Sequence, residues 1–142
     1  MRKLILILTT ALLVACGKSV STEVPSATAH KAAEFKQGQG LLLTDEASRF
    51  IGLRSAEAQT KGDLVRIPQS AVVETSEGKH VFVRNGQRWL RTAVKLGAAS
   101  GEVVDVADGL LEGDVIVVAG GWYLWLAELQ AIKGGVGCAD GH

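Results

Sequence analysis

Two runs of β-type residues, 80–84 and 87–96, are separated by the dipeptide Asn85-Gly86. Asn-Gly is the favoured pair for a type I′ hairpin turn, because both central residues of that turn take positive φ. A two-residue loop at this dipeptide places Phe82 opposite Trp89 on one face of the hairpin. The sequence therefore predicts a β-hairpin with an aromatic pair that stabilises the core by about 0.5–1 kcal/mol.

Other short apolar runs lie on both sides of this hairpin and are bounded by Gly, Pro, Asp or Asn. They predict strands near residues 41–43, 53–58, 64–67, 71–73, 102–106 and 115–118. Many short strands with frequent turn signals are typical of a small barrel or roll. The sequence contains no repeat unit and no coiled-coil heptads. We therefore predict one mainly-β domain.

A short helix is expected after Thr44, since threonine is a good N-cap and the following Asp45 and Glu46 suit the positive end of a helix. We expect Ala47, Phe50 and Ile51 to face inward and Gly52 to end the helix.

A second helix is predicted near the C-terminus by apolar residues at spacings i, i+3, i+4, i+7 and i+10. These residues are Trp122, Trp125, Leu126, Leu129 and Ile132. Such spacing places them on one face of an amphipathic helix. Because a domain this small needs apolar area, we predict that this face is buried, with contact to a partner or membrane surface as the alternative.

The N-terminus has the order of parts found in an export signal. Arg2 and Lys3 precede an apolar stretch that ends in Leu13-Val14-Ala15-Cys16. The stretch is shorter than the roughly 20 apolar residues that span a bilayer, and it has the length of a signal-peptide core. We predict cleavage before Cys16, which would carry the lipid of a bacterial lipoprotein. Stable anchoring in a membrane requires more than one lipid chain, and a diacylated or triacylated cysteine meets this requirement.

Charge and cysteine content narrow the classes of function. Removal of residues 1–15 leaves 13 basic and 15 acidic residues, a net charge of −2, which argues against a nucleic-acid partner. With Cys16 lipidated, Cys138 has no partner for an intramolecular disulfide. The sequence contains no nucleophile elbow, phosphate loop or dinucleotide fingerprint, so we predict a protein that is not an enzyme and requires no cofactor.

The predicted organisation has four parts. Residues 1–15 are a cleaved signal peptide, and residues 16–37 are a lipidated tether without sustained periodicity. Residues 38–133 form the β domain, and residues 134–142 form a Gly-rich tail.

Several segments of the predicted domain carry a family resemblance in their order and spacing. They are Leu41–Ala47, Ile51–Arg54, Ile67–Val73, Val81–Val83, Val94–Gly97, Gly109–Val118 and Leu126–Leu129. Together they resemble the C-terminal part of periplasmic adaptor subunits, or membrane fusion proteins, of resistance-nodulation-division (RND) efflux pumps. The likeness is greatest to the heavy-metal branch and covers nearly all of residues 38–133.

The resemblance implies a small, circularly permuted SH3-like barrel or roll that docks on the periplasmic part of the pump. The implied partners are the inner-membrane efflux transporter and a full-length adaptor, with the lipid anchor holding the protein at the membrane. A full adaptor carries a lipoyl-like domain, an α-helical hairpin and a further β barrel between the two resembling parts. Here only residues 59–63 separate them. Function as an accessory or truncated adaptor and descent as a gene remnant both remain open.

Location follows partly from the same features. A lipid anchor on an exported chain predicts a protein that faces the periplasm. Gly17 follows Cys16 in place of the Asp that retains lipoproteins on the inner membrane. The resemblance to adaptors favours the inner membrane, and the outer membrane stays an alternative.

Two groups of residues have a possible binding role. Cys138, Asp140 and His142 stand at alternate positions in the tail and offer thiolate, carboxylate and imidazole ligands for copper or zinc. They support an alternative function in metal binding or delivery, against the simpler interpretation of a solvated tail. Arg88 and Arg91 beside Trp89 can contact an acidic loop of a partner or merely keep the hairpin surface soluble.

Overall fold

The computed structural model describes residues 31–134, which form eleven β-strands and two α-helices. The strands are β1 (Ala33–Lys36), β2 (Gly40–Leu43), β3 (Arg54–Glu57), β4 (Gln59–Lys61), β5 (Leu64–Pro68), β6 (Val73–Thr75), β7 (Gly78–Asn85), β8 (Arg88–Ala93), β9 (Lys95–Ser100), β10 (Val103–Asp108) and β11 (Val115–Ala119). The helices are α1 (Asp45–Phe50) and α2 (Gly121–Gly134), and a 3₁₀ turn spans Gln69–Ala71. The predicted mainly-β class with a short N-terminal helix and a C-terminal helix is confirmed.

The strands form two antiparallel sheets. The larger sheet has the order β1-β2-β8-β7-β11-β3, with β6 paired to β7, and the smaller sheet has the order β4-β5-β10-β9. The chain passes from the larger to the smaller sheet at Ala58 and again at Val94, and both residues are buried. Strands that change sheets at such corners hold the two sheets against each other as a roll.

Each face of the larger sheet covers a separate hydrophobic core. Side chains alternate between faces along a strand. Val81 therefore packs with Ile67 and Val104 of the smaller sheet, in a first core between the sheets. The neighbouring Phe82 packs with Leu124 of α2, in a second core between the larger sheet and the helix. The molecule thus has three layers, namely the smaller sheet, the larger sheet and α2.

The central hairpin forms, but its turn lies one residue later than predicted. Asn85 pairs with Arg88, so the two-residue loop is Gly86-Gln87, and Gly86 has φ +61°. Phe82 is opposite Arg91, and the predicted direct pair with Trp89 is wrong. Moving the turn centre by one residue changes partners by two positions, which keeps every side chain on its predicted face. Phe82 and Trp89 are consequently both buried in the second core as diagonal neighbours.

The predicted tether extends too far along the chain. Ala33–Lys36 forms β1, which pairs with β2 around a turn where Gly38 has φ +74°. Ala33 and Phe35 alternate with charged residues and pack against the second core. This period-two pattern is short, and a single turn glycine makes it a hairpin. The boundary at residue 37 is therefore wrong, and the ordered domain includes residues 33–37.

The first helix has the predicted limits but not the predicted inner face. The Thr44 hydroxyl accepts a hydrogen bond from the Ala47 backbone N–H at 3.2 Å, as expected of an N-cap. Ile51 packs against the second core, whereas Phe50 is 91% exposed. A six-residue helix makes fewer than two turns, so it presents too narrow a face to bury both side chains.

Neither helix in the described part of the chain is long and apolar enough to span a membrane.

Candidate docking surface

The predicted lipid and metal residues lie outside the described residues. Cys16 precedes residue 31, and Cys138, Asp140 and His142 follow residue 134. Lipidation and metal binding by these residues therefore stay predictions. Within residues 31–134, no three His, Cys, Asp or Glu side chains are grouped so that they could hold a metal ion.

The arginines of the hairpin are engaged by the protein's own carboxylates. Arg88 Nη2 donates to Glu34 Oε1 at 2.7 Å and joins β8 to β1. Arg91 Nη1 donates to Glu77 Oε2 at 2.6 Å. These contacts lower the pKa of Glu34 and of Glu77 below its ordinary value. The hypothesis that Arg88 and Arg91 contact an acidic loop of a partner is therefore not supported.

The third arginine of the hairpin stacks on an aromatic ring. The Arg84 guanidinium carbon lies 4.8 Å from the centre of the Trp89 ring, which is a cation–π distance. The pairing of Arg84 with Trp89 across the hairpin brings the two side chains to the same face. Arg84 thus covers one edge of the second core.

Helix α2 packs on the larger sheet through a different face from the predicted one. Its buried residues are Gly121, Leu124 and Glu128, with Ala127 and Ala131 half-buried beside them. Gly121 permits the close approach, since a Cβ there would lie 3.1 Å from Cγ2 of Val73. The helix therefore packs on the sheet through Leu124 and Glu128 with Gly121 and the two alanines beside them, and turns Trp122, Tyr123 and Leu126 outward.

Three residues of the predicted inner face of α2, together with Tyr123, are consequently exposed to solvent. The exposed fractions are 51% for Trp122, 58% for Tyr123, 40% for Leu126 and 38% for Ile132. Trp125 and Leu129 are partly buried at the border of this surface. We call these six residues the α2 outer face. The predicted burial is wrong for Trp122, Leu126 and Ile132, whereas Trp125 is partly buried against the second core. The alternative of an exposed contact surface fits the structure.

A buried ion pair lies beneath the opposite side of the helix. Glu128 is 3% exposed, and Arg91 Nε lies 2.9 Å from its Oε2. At this distance the two groups form an ion pair that offsets part of the cost of burying the carboxylate. Burial raises the pKa of Glu128, and the charge of Arg91 opposes that rise. Arg91 thereby links α2 to Glu77 in the turn between β6 and β7.

Sequence reasoning missed Glu128. Its signal was its position, because it follows Leu124 by four residues and Gly121 by seven, which is the spacing of one helix face. An acidic residue on the buried stripe of an apolar helix requires a cationic partner.

Two cavities flank α2. One, of about 350 Å³, is lined by Arg54, Glu74, Trp122 and Tyr123 near the start of the helix. The other, of about 470 Å³, lies between β1 and the second half of α2, and Lys31 and Gly134 both line it. The two ends of the described chain therefore lie on the α2 side of the domain.

The two sheets, the strand crossings and the helix define a small β roll of the SH3-like class. Residues 65–124 match the family model of the CzcB C-terminal circularly permuted SH3-like domain. The resemblance to the C-terminal region of heavy-metal RND adaptors is thereby confirmed, and so is the predicted circularly permuted SH3-like fold.

One similar solved structure is the NMR structure of 180 residues of SilB from Cupriavidus metallidurans CH34, which encompasses the N-terminal metal-binding site and the membrane proximal domain of that protein. Sequence identity is 18% and the TM-score is 0.43. The match covers 68% of this chain and 59% of that one. No curated protein matches this chain.

Proposed function

We propose that this protein is a non-enzymatic accessory or truncated adaptor of an RND efflux system that exports heavy metals. It acts by contact with the inner-membrane transporter or with a full-length adaptor. The observation that carries the proposal is the family match over residues 65–124, which runs from β5 to the first turn of α2.

The strands that precede the matched region support the same function. β3 pairs with β11, and β2 pairs with β8, so residues 33–57 complete the larger sheet. The N-terminal and C-terminal segments that resemble adaptors thus belong to one domain. Between them the chain makes only the tight β4–β5 hairpin. A chain of this organisation offers a pump-proximal module without the helical hairpin that reaches an outer-membrane channel.

Attachment at the periplasmic side of a membrane is part of the proposal. The signal-like N-terminus and Cys16 support lipid anchoring, and the adaptor homology supports a periplasmic location. The resemblance to adaptors favours the inner membrane.

The test is an affinity pulldown of the mature lipidated chain from its native membranes after detergent solubilisation. We expect an RND transporter, an adaptor or both among the bound proteins. The matched control is Ile67→Asp, because Ile67 is fully buried in the first core and a charge there unfolds the domain while Cys16 is unchanged.

Recovery of the partners with the native chain and their loss with Ile67→Asp would support docking through the folded domain. Equal recovery with both chains would mean mere co-residence in the detergent micelle. Absence of a transporter and an adaptor from the native sample would refute the proposed function.

A further inference from the structure

The α2 outer face is chemically unusual for the surface of a small domain. Its exposed members are two aromatic and two aliphatic side chains, and the Trp122 and Trp125 rings lie 4.7 Å apart at 44°. Tryptophan and tyrosine have an apolar body and a polar edge, which suits them to the boundary between lipid and water. An exposed cluster of this kind indicates a contact surface.

The charges on α2 itself favour one kind of partner, although the exposed Glu74 lines the cavity beside Trp122 and Tyr123. The only acidic residue of α2, Glu128, is buried, so the exposed surface of the helix has no negative charge. Its exposed polar side chains beyond Tyr123 are Gln130 and Lys133. A protein interface normally contains about one hydrogen bond per 100–200 Å², and this face offers few groups to form them. A lipid surface needs none and is attracted to an adjacent cation.

The position of the predicted anchor is compatible with the same partner. Lys31 lines the cavity beside the second half of α2, so the chain enters the domain on that side. Lys31 follows Cys16 by fifteen positions. A segment of this length spans at most about 50 Å in any conformation. This length allows α2 to rest on the same bilayer as a lipid on Cys16.

We propose that the α2 outer face lies on the lipid bilayer, with Trp122, Tyr123 and Leu126 in the interfacial layer and Lys133 against anionic headgroups. The surface makes a second contact with the membrane in addition to the proposed lipid anchor. It orients the domain so that the smaller sheet points away from the bilayer. Contact of the face with lipid is testable without the proposed anchor.

The test uses the mature chain in lipidated form and as an unlipidated Cys16→Ser variant. Vesicles of phosphatidylethanolamine and phosphatidylglycerol in about a 3:1 ratio carry brominated acyl chains that quench tryptophan on contact. Trp89 is 4% exposed in the second core and serves as the internal unquenched reference. We expect quenching and a blue shift of the emission in both forms, and loss of most of the response in Trp122→Phe combined with Trp125→Phe.

Surface variants separate this face from general apolar exposure. Leu126→Ser with Ile132→Ser should weaken vesicle binding of the unlipidated chain by roughly tenfold. Phe50→Ser and Leu111→Ser are the matched controls, since these side chains are 91% and 74% exposed on other elements. Their binding should equal that of the parent chain. Circular dichroism spectra that match the parent establish that each variant is folded.

Several outcomes overturn the proposal. Absence of quenching in the lipidated chain on the same vesicles would exclude contact of the face with lipid. Equal loss of binding in the Phe50 and Leu111 controls would exclude a specific face. Concentration-dependent dimers in sedimentation that vanish in Leu126→Ser would assign the face to a second copy. Loss of the transporter from the pulldown in Leu126→Ser, without loss of quenching, would assign it to a protein.

This test and the pulldown can fail separately. Quenching without recovery of a transporter would leave the membrane contact standing and refute the adaptor function. Recovery of the transporter without quenching would support the adaptor function and refute the membrane contact.

Discussion

Gly40 is the residue at which the N-terminal hairpin comes closest to the central one. Its φ is +94°, a conformation that residues with a Cβ rarely adopt. A Cβ at this position would overlap the Trp89 carbonyl oxygen and lie 2.6 Å from the carbonyl carbon. The next residue, Leu41, pairs with Trp89 and is fully buried. The approach of β2 to β8 therefore depends on the absence of a side chain.

We predict that Gly40→Ala lowers the free energy of unfolding by at least about 3 kcal/mol, because the cost of positive φ adds to that of overpacking. The measurement is urea denaturation of the mature Cys16→Ser chain. Gly38→Ala is the matched control, since Gly38 has φ +74° but nothing within 4 Å of a Cβ. It should lose only about 1–2 kcal/mol. Equal losses at the two positions would mean that β2 moves away from β8 at little cost.

Individual residues show which structural features could be predicted from the sequence. The Thr44 cap was predictable because its hydrogen bond is local. Glu128 and Arg91 are 37 positions apart, and nothing in the chain between them signals that they meet. Residue-scale features set by neighbours in sequence were therefore accessible, and those set by tertiary packing were not.

Helix α2 shows how an amphipathic pattern can point to the wrong face. Its apolar residues include Ala127 and Ala131 as well as the large side chains, so apolar character extends around most of the helix. The i, i+3, i+4 spacing identifies the face of the helix with the largest apolar side chains. The sheet instead receives the stripe that permits the closest approach, with Gly121 against Val73. Hydrophobic periodicity predicted the helix, and steric fit to the sheet determined its rotation.

The rotation of α2 predicts that Leu124 contributes more to the free energy of unfolding than Leu126, although the sequence pattern placed Leu126 on the buried face. Leu124→Ala should lower the free energy of unfolding by about 2–5 kcal/mol, because Leu124 is fully buried in the second core. Leu126→Ala should lower it by less than about 1 kcal/mol, since Leu126 is 40% exposed. Both values come from chemical denaturation of the same parent chain. The opposite order would mean that α2 packs through its outer face.

In the β7–β8 hairpin, in contrast to α2, the sequence predicted the buried faces correctly but not the position of the turn. The dipeptide Asn85-Gly86 correctly signalled a turn, and Gly86 occupies a position with positive φ. It did not determine which two residues form the loop. Moving the centre of the turn by one residue changes the strand partners by two positions and keeps the same side chains facing each core. Register therefore depended on the pairing of the flanking strands with β2, β6 and β11.

The whole molecule combines two cores on opposite faces of one sheet. A continuous apolar run such as that of β11 is typical of a strand buried on both faces, and Ile116 and Val117 are each 1% exposed in different cores. The sequence did not indicate that strands change sheets at Ala58 and Val94. Such crossings are set by long-range pairing, which is weakly encoded in local residue preferences.

Stability should depend on pH in two opposite ways. Arg88, Arg91 and Arg66 lower the pKa of Glu34, Glu77 and Asp105, respectively. The unfolded chain then binds more protons than the folded one just below the ordinary values of 4.5 for Glu and 3.8 for Asp, so stability rises with pH there. Burial raises the pKa of Glu128, so the folded chain binds the extra proton above 4.5 and stability falls with rising pH in that window.

We predict that Glu128→Gln removes the fall above pH 4.5 and leaves the rise below it. Glu34→Gln should reduce the rise below pH 4.5 and leave the fall above it, because it removes one of the three carboxylates whose pKa is lowered. Urea midpoints measured at several values from about pH 3 to pH 8 separate the two effects. A fall that persists in Glu128→Gln would assign it to another group.

The tight β4–β5 hairpin has a consequence for how such chains can change during evolution. Gly62 lies at its turn with φ +68° and open space around it, and the strands on both sides belong to the smaller sheet, where β5 also pairs with β10. Exposed turns of this kind accept inserted domains, because the flanking strands keep their partners. Gene rearrangements could therefore add or delete whole domains at this one point while the host domain keeps its register. The same turn offers protein engineers a splice site that lies within the chain and outside both cores.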